Sequence, residues 1–383
     1  MKSFSFNTAG SIIFEAGAGR RLGGLIAQRL GRRVLFVTDG GLRSMGLCDA
    51  ALGSLAEEGI EAIVFDKVEA DPSLATLMAA VEAGGGVSGV IGFGGGSSLD
   101  VAKLAALLLG SGEDLDQAWG VGQAKGPRLP LALAPTTAGT GSEVTPVSII
   151  TVGDEEKRGV SSPVILPDVA ILDPELTLSL PPHITAATGV DAMVHAIEAY
   201  ASTNNNNNPL SKMLARQALQ MLGANIERAV AAGGDLQARS AMLLGSMLAG
   251  QAFANSPVAA VHALAYPIGG SFHVPHGLSN ALVLPHVLRF NAPAAAGTYA
   301  EIACDAFPHL SEVGAQARCP AFVDELAALA RRLGMQTQLR QVGITEADLP
   351  KLARDAMKQQ RLLVNNPREI TEADALAIYE AAW

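Results

Sequence analysis

With 383 residues the chain exceeds what a single hydrophobic core usually serves, so two domains are expected. Apolar residues make up 49% of it and charged residues 17%, which excludes a disordered chain and suits helices packed on a buried sheet. A net charge of −10 without any Lys/Arg run gives no counterion-release gain on DNA or RNA and argues against a nucleic-acid partner. The three cysteines, Cys48, Cys304 and Cys319, form no CxxC motif, and a reducing cytoplasm is the expected setting. MKSFSFNTAG lacks the apolar core of a signal peptide, and stretches such as Val101–Leu109 are too short to span a bilayer.

The first half alternates strand-like and helix-like pieces. Arg33–Thr38 reads as a strand ending at Asp39-Gly40-Gly41, and Leu47–Glu58 as a helix closed by Gly59. Ala62–Phe65 is a second strand, and Leu74–Ala83 a helix stopped by three glycines. Gly89–Phe93 is a third strand, running through Gly94-Gly95-Gly96-Ser97 into helix Leu99–Leu109. Leu129–Ala134 is a fourth, ending at Pro135-Thr136-Thr137. Continuous apolar strands alternating with helices indicate a parallel sheet covered on both faces. Val144–Ile150 and Val169–Leu172 read as further, antiparallel strands. From Pro181 onward the texture turns Ala/Leu/Met-rich and helical, in Ala187–Ala201, Leu210–Ala232, Ala238–Ala252, Ser256–Gly269 and Ala321–Leu333. The boundary falls at Leu180-Pro181-Pro182, giving an α/β domain over 1–180 and an all-helical domain over 181–383. The tract Asn204–Asn208 is expected as a surface loop.

Two groups of residues carry chemistry. Asp191 and His195, at i and i+4, share one helix face, and three of the seven histidines crowd into His262–His276 amid small apolar residues. Buried imidazoles need partners, and a metal ion is one. Pro267 and Gly269-Gly270 are expected to end the His262 helix and turn the chain back, so that His276 approaches His262. Three imidazoles and a carboxylate without thiolate suit Fe(II), Zn(II) or Mn(II). The Gly94–Ser97 turn lets a pyrophosphate approach backbone N–H groups at a helix start, and Thr136–Glu143 forms a second polar turn after a strand. Asp39, at a strand end, can accept bonds from ribose hydroxyls and repel a 2′-phosphate, which favours NAD over NADP.

These stretches, GGGSSLD at 94–100, PTTAGTGSE at 135–143, GVDAMVHAIE at 189–198 and PHG at 275–277, resemble the iron-containing (group III) alcohol dehydrogenase family and stand in its order. The resemblance implies a Rossmann-like N-terminal α/β domain and an all-α C-terminal domain, the fold shared with dehydroquinate synthase, with the active site in the cleft between. It implies Asp191, His195, His262 and His276 as metal ligands. It implies cofactor contacts from Asp39, Asp71, Gly95, Gly96, Ser97, Ser98, Thr136, Thr137, Thr140 and Ser142, with Lys157 toward the nicotinamide. The implied activity is reversible hydride transfer between NAD(H) and a small alcohol, aldehyde or ketone, by a cytoplasmic homodimer. Many members of the family carry a second histidine four residues after the third ligand, where this chain has Tyr266. A tyrosine hydroxyl can join a proton relay as a poorer base, and Tyr266 also admits a hydroxyacid–oxoacid transhydrogenase as the alternative. His273, nearby in sequence, could take that histidine's place in the relay, and the plainer reading is a histidine behind the ligands or on the surface. Phe253 and Val258, read as lying on helices beside His262, are candidates for the substrate wall. A metal-dependent hydrolase with purely structural glycine loops is the remaining rival.

Overall fold

A computed structural model describes residues 3–153 and 156–383. It forms two compact units, residues 7–179 and residues 180–383, the latter joined by residues 3–6.

The α/β unit runs β1 (Ile12–Phe14), α1 (Leu22–Leu30), β2 (Arg33–Val37), α2 (Gly40–Ser44), α3 (Asp49–Glu57), β3 (Glu61–Phe65) and α4 (Leu74–Ala83). It continues through β4 (Gly89–Gly94), α5 (Gly96–Ser111), α6 (Leu115–Ala118), β5 (Gly120–Val121), β6 (Leu131–Pro135), β7 (Val147–Val152), β8 (Glu156–Ser161) and β9 (Val169–Leu172). Six strands pair in the order β1-β9-β6-β4-β2-β3, all parallel. Alternate side chains serve opposite faces. Leu35, Val37, Val90 and Leu133 join the core under α4 and α5, while Val34, Phe36, Ile91 and Phe93 join that under α1 and α3. The antiparallel expectation holds for β7, which pairs with β8, and fails for Val169–Leu172. That strand lies parallel between β1 and β6 with all four residues buried; its apolar run fits burial on both faces but carries no direction, which the flanking strands decide. The polar strand β8 (EKRGVS) gave no apolar signal.

The helical unit holds α7 (Pro182–Ala201), α8 (Pro209–Ala231), α9 (Leu236–Asn255), α10 (Ala260–Phe272), α11 (His276–Ala306), α12 (Ala315–Arg332), α13 (Leu349–Ala356), α14 (Gln360–Leu363) and α15 (Glu372–Ala382). Helix α7 packs against α8, α9 and α11 and is buried on nearly every side, as its all-round apolar sequence requires. Pro267 does not end α10. The helix passes through it and stops at His273, whose φ of 53° makes the left-handed turn and whose N–H donates to Gly269 O at 3.0 Å. Proline removes one helical hydrogen bond, and burial of Ala263, Leu264 and Ile268 around it outweighs that local loss. The asparagine tract is a hydrogen-bonded joint rather than a plain surface loop. Asn206 exchanges bonds with the backbone of Ser5, Asn204 donates to Asn365 Oδ1, and Asn208 caps α8 through Ser211 N.

Candidate active site

Asp191 and His195 project from one face of α7, His262 from α10, and His276 from the first residue of α11. Their ligand atoms all lie within 4.8 Å of one another. Asp191 Oδ1 is 3.8 Å from His262 Nε2 and 3.7 Å from His276 Nε2, and the His195 and His262 rings stack at 4.7 Å. Gly277 makes this approach sterically feasible: a Cβ there would stand 2.3 Å from the carbonyl oxygen of Ala187, so the start of α11 lies directly on α7. Burial by itself would raise the Asp191 carboxyl. His195, His276 and His262, with a hydrogen bond from Asn280 Nδ2 at 2.6 Å, hold it below the usual carboxylate range instead.

Glu198 sets the orientation of His262. Its Oε2 lies 2.6 Å from His262 Nδ1, and its Oε1 accepts from Val261 N at 2.7 Å. With Nδ1–H donating to the carboxylate, Nε2 carries the lone pair on the cluster side. That Nε2 is buried and has no hydrogen-bond partner. An unsatisfied buried acceptor costs about 1–3 kcal/mol, and a divalent cation among these four side chains satisfies it, so the donor set fits a resident Fe²⁺ or Zn²⁺. The sequence reading quoted Glu198 and missed Asn280. Both carried a signal, because Glu198 continues the Asp191/His195 stripe at i+7 and Asn280 stands at i+4 from His276.

Phe253, on α9, stacks on His195 at 4.4 Å. Tyr266 lies one turn beyond His262, its ring 5.9 Å from that of His276, and its hydroxyl accepts from Arg361 Nη2 at 3.4 Å. Val258 is not on a helix. It sits in the link between α9 and α10, with its carbonyl accepting from Asn365 Nδ2 at 3.1 Å. His273 is exposed.

In the α/β unit the ends of β2, β4 and β6 are neighbours, which brings Asp39, the Gly94–Ser98 turn and the Thr136–Ser142 turn side by side. A Cβ on Gly96 would meet the Thr140 methyl at 2.8 Å and one on Gly95 the Thr137 methyl at 3.6 Å, so the two polar turns touch. Gly94 has φ +154°, a value side-chain-bearing residues avoid, and α5 begins at Gly96 with no side-chain cap on its N–H groups. Ser97, Thr137 and Thr140 are half-buried beside these groups, while Ser98 and Thr136 are buried. Asp39 caps α2 by accepting from Leu42 N at 2.9 Å. Asp71 and Lys157 form an ion pair at 2.7 Å, and Lys157 also donates to Thr151 Oγ1. The Ser142 hydroxyl is buried in a network, accepting from Lys103 Nζ and donating to Asp100 Oδ1, both at 2.7 Å. Burial pushes the Lys103 ammonium down to about 8 and the neighbouring Glu143 carboxyl up to about 7.

A parallel sheet with a glycine turn opening an uncapped helix, and a helical unit with a three-histidine, one-carboxylate cluster, define a metal- and nucleotide-dependent oxidoreductase. The family profile for iron-containing alcohol dehydrogenases matches residues 9–174, and the C-terminal profile of the Fe-containing alcohol dehydrogenase family matches residues 185–383. The chain is 44% identical to long-chain-alcohol dehydrogenase 1 of Geobacillus thermodenitrificans over 93% of its own length and 91% of the relative's. It superposes on a crystal structure of 1,3-propanediol oxidoreductase with a TM-score of 0.94 at 34% identity, covering all of both chains. On the sulfoacetaldehyde reductase of Bifidobacterium kashiwanohense in complex with NAD+ the TM-score is 0.87 at 29% identity, over 100% of this chain and 99% of that one. The chain belongs to the iron-containing alcohol dehydrogenase family, whose members interconvert alcohols and aldehydes. Among the described residues no helix is long and apolar enough to cross a membrane.

Proposed function

We propose that this chain reversibly interconverts a small alcohol and its aldehyde or ketone with NAD(H). In this reading the α/β domain (1–180) carries the dinucleotide, and the helical domain (181–383) holds one divalent metal on Asp191, His195, His262 and His276. The observation that carries it is the partnerless, buried His262 Nε2 inside a four-ligand cluster. When bound, the metal polarises the substrate oxygen and the nicotinamide accepts or returns the hydride.

The chain's own groups bind, orient and move protons. The α5 N–H groups and the Gly95–Ser98 turn receive the pyrophosphate, with Thr136, Thr137, Thr140 and Ser142 shaping the facing turn. Asp39 accepts from the ribose while keeping its cap on α2, and Lys157, held by Asp71, lies toward the nicotinamide. Phe253 and Val258 supply the apolar wall. Tyr266 Oη, already an acceptor from Arg361, keeps its O–H free to pass a proton from the substrate side to solvent. A homodimer and a cytoplasmic location belong to the same proposal; the free thiols of Cys48, Cys304 and Cys319 suit the latter.

The test is NADH absorbance over a panel of short aldehydes with the Fe²⁺- or Zn²⁺-loaded protein. His262→Ala should lose metal and turnover while still binding NAD. Full metal content and full rate in that variant overturn the ligand assignment, and turnover on bound, non-exchanging NAD would favour the transhydrogenase.

A further inference from the structure

Among the four cluster residues His276 is the exposed one, and its side faces out of the cluster. Asp191 and His262 expose 3% of their side chains, whereas His276 exposes 40%. Tyr266 flanks His276 on that side, and beyond Tyr266 stands Arg361, its guanidinium carbon 5.7 Å from the ring centroid and its Nη2 3.4 Å from the hydroxyl. A cation over an aromatic face keeps its N–H edge free for an acceptor. Arg361 is exposed and, among the described residues, has no carboxylate within ion-pair distance, as is also so for Arg318, Arg340 and Arg368; what sets it apart is its place over the Tyr266 ring beside His276.

The backbone beneath Arg361 is fixed from below. Asn365 Nδ2 donates to Arg361 O and to Val258 O, both at 3.1 Å, and the Asn365 carbonyl accepts from Thr203 N. Asn366 and Asn291 exchange reciprocal side-chain bonds at 2.7 and 2.9 Å. Asn365, Asn366 and Asn291 are all buried. A short helix anchored in this way presents its arginine at a set place and recovers part of the ordering cost before a ligand arrives. A guanidinium set over Tyr266 beside the exposed His276 keeps paired N–H donors for an anionic group on a substrate that reaches the cluster from this side.

Resting on the dehydrogenase reading above, we propose that Arg361 is the specificity-determining residue for substrates with an oxyanion, carboxylate or sulfonate, a short chain away from the reacting carbon. The planar guanidinium takes either oxyanion through paired N–H donors, and the Tyr266 ring keeps its plane from tilting away.

The experiment compares kcat/KM for succinate semialdehyde, sulfoacetaldehyde and uncharged butanal, using metal-loaded protein with NADH, in the native chain, R361Q and R361K. The native chain should prefer at least one anionic aldehyde over butanal by about tenfold or more, the worth of one charge-assisted hydrogen bond. R361Q should collapse that ratio by about tenfold, mainly through KM, and R361K should restore part of it. Which acid wins distinguishes carboxylate from sulfonate. A native chain that uses butanal as well as either acid, or an R361Q variant with an unchanged ratio, overturns the assignment of Arg361 while leaving the dehydrogenase intact. No NADH oxidation with any of the three aldehydes overturns the anionic-substrate assignment, and the panel of short aldehydes, with thermal shifts on adding metal or NAD, then shows whether the dehydrogenase reading falls with it.

Discussion

Two members of the cluster are held by buried polar neighbours, Asp191 by Asn280 and His262 by Glu198. Glu198 offers two acceptors, one for Val261 N and one for His262 Nδ1. A glutamine offers one acceptor and one donor. With its oxygen on Val261 N–H, its amide N–H faces His262 Nδ1, and the imidazole proton must move to Nε2, the atom that serves the cluster. Glu198→Gln should therefore weaken metal binding by about 10–100-fold with the helical content unchanged. Titration of the metal-free protein measures this, and equal affinity in variant and native chain would show that Glu198 does not set the tautomer. At the same scale the residues proposed for nucleotide binding divide in two. Asp39, Asp71 and Lys157 are tied to neighbours and keep partly exposed polar atoms, whereas the Ser142 hydroxyl is spent on Asp100 and Lys103 and acts on the turn it belongs to.

Among the elements, α7 and α11 decide whether a cluster exists at all. They approach because Gly277 presents no side chain to the carbonyl of Ala187. Gly277→Ala should push the start of α11 outward, cost about 1–3 kcal/mol of stability and carry His276 away from Asp191. Gly297→Ala in the same helix has open space at its Cβ and should instead stabilise by about 0.5–1 kcal/mol. Thermal midpoints and metal content of the two variants separate a local steric clash from a general effect of alanine in α11, and equal midpoints would remove the role given to Gly277. Element identity was legible where period and punctuation agreed. The helix Leu74–Ala83 and the strand ends at Asp39 and Gly94 follow from apolar runs bounded by glycines. Legibility failed where burial overrode punctuation, at Pro267 inside α10, and where a strand is polar, at β8. It failed for β9 because an apolar run carries no direction: parallel or antiparallel pairing depends on which strands already flank the slot.

At the level of the whole molecule, the buried Asp100–Lys103–Glu143 group makes stability depend on pH. Burial drives the Glu143 carboxyl up to about 7 against the pull of Lys103, so the folded chain holds that proton more tightly than the unfolded one. The resulting stabilisation is complete in acid and is lost as pH rises through about 7. Lys103, lowered to about 8, acts above that window, where deprotonation relieves its burial penalty. Glu143→Gln should therefore flatten the thermal midpoint between pH 5 and 7, and an unchanged slope in differential scanning calorimetry would show that Glu143 stays ionised throughout. By itself the sequence determined the class of the α/β layer, the helical texture after Pro181, and the residue types able to bind metal and pyrophosphate, because period, glycine punctuation and donor chemistry are local properties of a chain. Tertiary structure alone decided that His262 and His276 meet Asp191, that Glu198 turns His262 toward them, and that Arg361 reaches Tyr266. Those placements depend on how closely helices distant in sequence pack, and close packing follows from the shapes that side chains and missing side chains make together.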